Sequence, residues 1–214
     1  MNADVALALA SVPEPARAAV HALWALDEAL GRVLATGREP MITRIRLAWW
    51  REALERLDRE PPPKEPVLEG LAREVLPNGI AGAELAEMEP AWALLPGDQP
   101  ITAEDLEGYA TARGSVLFRL TARLLGGDGD VEPAGEAWAL VDLARHSSEK
   151  SDIEAALSAA RERRLPRRWP KALRPLGMLA ALADRDLRRG SERWEEPGSP
   201  PRTARMMRHR LTGF

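Results

Sequence analysis

Hydrophobic positions recur every three or four residues along most of this 214-residue chain, and no alternating stretch is long enough for a β-strand. In SVPEPARAAVHALWALDEALGRVLATG, Val20, Leu23, Trp24, Leu30 and Leu34 form one stripe. Ser11 and Glu14 have capping-box spacing, Pro13 suits a first turn, and Gly37 marks a stop, so a helix is predicted to run to about Thr36. Pro40 opens a second helix through MITRIRLAWWREALERL, and the stiff segment PPPKEP ends it. A third helix is expected in VLEGLAREVL and a fourth in AGAELAEMEPAWALL, kinked or split at Pro90.

The pattern continues in ITAEDLEGYATARGSVLFRLTARLLGG, with Thr102 as cap, Asp105 three residues on, and apolar positions at Leu106, Tyr109, Val116, Leu117, Leu120 and Leu124. The stretch EPAGEAWALVDLARHSSEKSDIEAALSAARERRL supplies one long helix or two shorter ones, and PKALRPLGMLAALADRDLRRG another, interrupted near Pro175. The last segment, SERWEEPGSPPRTARMMRHRLTGF, is turn-rich and then basic. The fold class is therefore all-α: a single-domain helical bundle over 1–195 and a basic C-terminal tail over 196–214.

Composition narrows the function. Hydrophobic residues make up 45% and charged residues 29%, which is enough apolar material for a core. A formal net charge of −3 argues against a nucleic-acid partner, because phosphate neutralisation needs a basic surplus. The absence of cysteine excludes disulfides and thiolate metal sites and fits a reducing compartment. The longest apolar runs fall well short of the roughly 20 residues of a membrane span, and MNADVALALASVPEP has no basic n-region. A cytoplasmic, soluble protein is expected. The arginines of the tail, with Met206, Met207, Leu211 and Phe214, suit peripheral contact with an anionic membrane or an acidic partner groove.

Several residues stand out chemically. Asp27 falls on the apolar stripe of its helix, so it serves either a pocket or a structural ion pair. Trp49 and Trp50 are adjacent and point about 100° apart on a helix, so one can fill the core while the other lines a cavity or a partner surface. Arg46, Arg51 and Arg145 suit an anionic head group, or internal pairing with Asp27 and Asp142. Asp142, His146 and Glu149 have spacing for a mixed metal face, but Arg145 and Lys150 flank them. Tyr109 and Trp138 are most simply core residues. The pocket-lining or ligand-binding candidates are Asp27, Arg46, Trp49, Trp50, Tyr109, Asp142 and Arg145, with no residue assigned as catalytic or as a metal ligand.

In this order, RAAVHALWALDEALGRV, RIRLAWWREALERL, TAEDLEGYATARGSVLFRL, GEAWALVDLAR and RERRLPRRW resemble the squalene/phytoene synthase family over roughly residues 12–190. The most specific pieces are Arg46 to Arg51, Tyr109 followed by Gly114, and Gly135-x-Ala137 through Leu140 to Arg145. The resemblance implies an isoprenoid-synthase type of helical bundle, here shortened. It also implies two aspartate-rich motifs facing a cavity, with Mg²⁺ bound to join prenyl diphosphates head to head. On this chain the first motif falls on Gly31, Arg32, Val33, Leu34 and Ala35, without a carboxylate. The second falls on Arg145 to Lys150, with His146 and Lys150 in place of the aspartates. In its RLAWWR stretch and degraded motifs the chain looks similar to a branch associated with assembly of respiratory complex I.

Three functions follow as expectations. The first is a non-catalytic binding or assembly factor that needs no cofactor and whose partner is a membrane-complex subunit. The second is a Mg²⁺-dependent head-to-head prenyltransferase with displaced metal ligands. The third is a prenyl-lipid binder without turnover.

Overall fold

The computed structural model describes residues 1–37, 39–95, 97 and 100–214. Its α-helices are α1 (Ala3–Ala10), α2 (Glu14–Thr36), α3 (Pro40–Arg56), α4 (Pro66–Glu74), α5 (Gly82–Ala86), α6 (Glu89–Ala93), α7 (Ala103–Tyr109), α8 (Val116–Leu124), α9 (Glu132–His146), α10 (Lys150–Arg161), α11 (Arg174–Arg189) and α12 (Pro200–Thr212). A π-helical turn, Ala110–Ser115, joins α7 to α8 without a break. No strand occurs among the described residues. The fold is all-α, as the periodicity requires.

Local chemistry explains most boundaries. Thr102 accepts from the Asp105 amide, and the Asp105 carboxylate accepts from the Thr102 amide, giving the expected capping box. The box read at Ser11 and Glu14 does not form. Ser11 instead donates to the Ala8 carbonyl at 2.6 Å and closes α1, and α2 starts behind Pro13 without a side-chain cap. The expected breaks at the prolines are present: the fourth segment splits into α5 and α6 just before Pro90, and a 3₁₀ turn, Lys171–Leu173, gives way to α11 just before Pro175. Each proline sits in the first turn of the helix it opens, where a missing N–H costs no hydrogen bond.

The core is centred where α9 crosses the π-turn and α8, with α2 on one side and α11 on the other. Trp24 of α2 packs edge-on to Trp138 of α9 at 5.2 Å and donates to Thr121 Oγ1 at 3.0 Å. The closest approach is between two glycines. A Cβ added to Gly114 would lie 2.5 Å from the Gly135 carbonyl oxygen, and one added to Gly135 would lie 2.2 Å from that of Gly114. Backbone therefore touches backbone here, and any side chain would force α9 away from the π-turn. Gly135→Ala is expected to lower stability by about 1–3 kcal/mol, the usual range for overpacking, despite alanine's better helix propensity. Denaturant titration checks this, and an unchanged midpoint would contradict the crossing.

The basic C-terminal stretch carries a helix, α12, docked on the bundle. Met206, Arg202 and His209 of α12 are buried against the bundle. Arg202 donates to Asp4 Oδ2 at 2.8 Å and to Asp186 Oδ1 at 2.6 Å, tying α12 to α1 and α11. His209 sits edge-on to Trp169, and burial followed by repulsion from Arg205 lowers its pKa to about 4, so its imidazole is neutral. The tail's cations are thus divided, with Arg202 consumed inside and Arg208 and Arg210 left exposed. No helix among the described residues is long and apolar enough to cross a membrane.

Candidate functional site

A cavity of about 480 Å³ opens between α2, α6, the π-turn and α9. Trp24, Leu34, Trp92, Leu95, Trp138 and Leu143 give it apolar walls, and Asp27, Tyr109, Arg113 and Asp142 are its inner polar groups. This volume is within the 300–1,000 Å³ typical of small-ligand sites.

Arg113 organises the polar groups. Its Nε and Nη2 donate to the two carboxylate oxygens of Asp27 at 2.8 and 2.9 Å, a bidentate fork. Its Nη1 donates to Asp142 Oδ2 at 2.7 Å and to the Tyr109 hydroxyl oxygen at 2.6 Å. The guanidinium carbon lies 4.6 Å from the Trp92 ring centroid and 4.7 Å from that of Trp138. A single buried cation is therefore held by two carboxylates, one phenol and two indole faces. Burial disfavours its charge, but Asp27, Tyr109 and Asp142 outweigh that and raise its pKa well above the ordinary arginine value. Burial pushes the Tyr109 hydroxyl up as well, so it remains protonated.

The backbone explains why these groups converge. Asp27 projects inward because it lies on the apolar stripe of α2, and Asp142 sits one turn after Trp138 on α9. Arg113 lies within the π-turn, one turn after Tyr109 and on the same face, so its guanidinium reaches the Tyr109 hydroxyl and the cavity. Sequence reasoning missed Arg113 and Trp92. A signal for Arg113 existed: it is four residues from both Tyr109 and Leu117, on the same apolar stripe, where a lone arginine needs a partner.

The other candidates separate. Asp27, Tyr109 and Asp142 meet at the cavity. Arg145 belongs to a neighbouring network, with Nη1 3.3 Å from Asp186 Oδ2, Nη2 donating to the Glu195 carbonyl at 2.6 Å, and its guanidinium over Trp194. Trp50 is buried, Trp49 is 46% exposed, and Arg46 is exposed; none of the three reaches the cavity. The exposed Arg51 pairs with Glu55 along its own helix.

The residues present do not suit a Mg²⁺–diphosphate group. Hard divalent cations require free carboxylate oxygens, and both oxygens of Asp27 already accept from Arg113. At Gly31, in the first motif position, a Cβ would come within 3.0 Å of the Trp92 indole, so that ring fills the space of a side chain. At the second, His146 is exposed with Nδ1 3.6 Å from Asp142 Oδ1, and Lys150 points outward to Glu154. Of the two cations at or beside these motif positions, Lys150 points away and Arg32 lines the cavity, but the cation that holds Asp27 and Asp142 is Arg113. Glu149 is exposed at the start of α10, and no group of three potential metal ligands occurs among the described residues.

The family model for squalene/phytoene synthase matches residues 2–192. No curated protein and no solved structure matches the chain.

Proposed function

The chain belongs to the squalene/phytoene synthase family, and from that premise we propose that it works as a non-catalytic binding or assembly factor. The observation that carries the proposal is the Arg113 guanidinium bridging Asp27 and Asp142 inside the central cavity. A tethered cation supplies the charge compensation that a dissociable ion would otherwise provide, and it repels a second cation brought to the same carboxylates. The protein keeps the family scaffold and uses its cavity and surface for recognition. The favoured partner is a subunit of a membrane complex, with respiratory complex I as the specific version.

The test is direct. Pure folded protein incubated with farnesyl or geranylgeranyl diphosphate and Mg²⁺ is expected to release no diphosphate and to form no C30 or C40 hydrocarbon. Appearance of either restores the prenyltransferase reading. For the complex I version, deletion is expected to reduce assembled complex, and normal levels in the deletion strain would remove it.

A second reading, binding of a prenyl lipid without turnover, is favoured by the walls of the cavity. Three indoles and three leucines surround it, and the Trp92 Nε1 is buried with no acceptor among the described residues. That leaves one N–H donor for an oxygen-bearing apolar molecule.

A further inference from the structure

Helix α3 answers why two tryptophans stand side by side, and it points to a surface separate from the cavity. Its inner face buries Thr43, Leu47, Trp50, Ala53 and Leu54. Its outer face leaves Met41 66%, Ile42 45%, Ile45 62% and Trp49 46% exposed. Positions 41, 45 and 49 are successive i, i+4 neighbours, so their side chains form a ridge along one line of the helix, with Ile42 beside it. Trp49 is braced edge-on against the buried Trp50 ring at 5.4 Å, which holds the indole outward. Four large apolar side chains on two and a half turns are a patch, unlike the scattered exposed leucine of an ordinary surface.

Charge selects the occupant. From Pro40 to Arg51 the helix contains no acid, whereas Arg44 and Arg46 are exposed on the flanks of the ridge. Arg46 makes no ion pair among the described residues. The acids Glu52 and Glu55 come only in the last turns, where they pair with Arg56 and Arg51. A convex apolar ridge with basic flanks and a tryptophan at its edge is the pattern of a helix lying in the head-group region of an anionic bilayer. We propose that α3 docks this protein on an anionic phospholipid surface, with Met41, Ile45 and Trp49 inserted among the acyl chains and Arg46 beside the phosphates. The C-terminal segment has less to offer. It exposes two large apolar residues, Leu211 at 74% and Phe214 at 54%, against four on α3, and the Phe214 ring already has the Arg168 guanidinium beside it.

Flotation with vesicles tests this on the full chain. The protein is expected to float with phosphatidylcholine vesicles containing phosphatidylglycerol, much less with phosphatidylcholine alone, and to be released by high salt. Ile45→Asp and Trp49→Ala are each expected to weaken binding by about tenfold or more, and Arg46→Ala by about fivefold. All three positions face outward, and circular dichroism confirms that each variant is folded. Three results overturn the proposal: no flotation with any vesicle, loss of flotation by Leu211→Ser with Ile45→Asp unchanged, or a wild-type dimer that Ile45→Asp dissociates. The last would assign the ridge to a second copy of the chain.

Discussion

Arg113→Ala lowers the free energy of unfolding by about 3–5 kcal/mol, because it leaves the carboxylates of Asp27 and Asp142 facing each other inside the bundle without their shared cation. For a domain of this size that is a fall in Tm of about 10 °C. The loss exceeds what side-chain truncation alone explains, and a double-mutant cycle separates the two contributions. Asp27→Asn is also destabilising in the wild-type background, since it removes half of a bidentate ionic pair. Combined with Arg113→Ala it costs far less than the two single losses added together, because the second change relieves an unpaired charge. Additive effects would mean that Arg113 contributes packing between Trp92 and Trp138 and little else.

The same variant has a second readout. With the guanidinium gone, two carboxylates on facing helices border an open volume, which is the start of a site for a hard divalent ion. Mn²⁺ or Mg²⁺ in the millimolar range is expected to raise the Tm of Arg113→Ala and to leave the wild type unmoved, by the ordinary stabilisation of a folded state that binds an ion. Equal effects on both proteins would show that the arginine does not hold the metal's ground.

The next largest effect is expected from Arg202→Leu, at about 3 kcal/mol. Arg202 is buried, and its pKa is raised because Asp186 and Asp4 together outweigh the penalty of burial. Among the described residues, losing it leaves the Asp4 carboxylate with only the Gly198 amide at 2.9 Å, and that of Asp186 with only the longer contact to Arg145. Unlike the Arg113 variant, this one should fail locally. Helix α12 is anchored by Arg202 and Met206, so its amides are expected to exchange with solvent faster than those of α9, and proteolysis is expected to begin in the 195–199 connection. Uniform loss of protection across the bundle would mean that α12 folds and unfolds together with the core.

The two networks differ in how far they could be read from the chain. Asp27 announces itself by lying among Leu23, Trp24 and Leu30, since a carboxylate on an apolar stripe must be compensated. Its partner lies 86 residues away and the third member of the cluster another 29 beyond it, and no local rule spans such separations. The glycines at 114 and 135 were visible as motif positions. That each excludes a side chain because of the other required the crossing of two backbones. Trp49 and Trp50 show the reverse: a helix must send them in different directions, and only the identity of each surrounding depends on the fold.

Periodicity, capping residues and proline positions are properties of a few neighbouring residues, and these fix helices, their approximate limits and the all-α class. Residue identity alone also fixes that positions 31 and 150 hold a glycine and a lysine, with no carboxylate oxygen of their own. Tertiary structure decided which cation meets Asp27 and Asp142. The π-turn that carries Arg113 packs against α9, and α2 packs against α8 beside it, which brings Asp142 and Asp27 to one guanidinium. Long-range pairing depends on how helices cross, and crossing is a compromise among all their contacts that no single segment encodes.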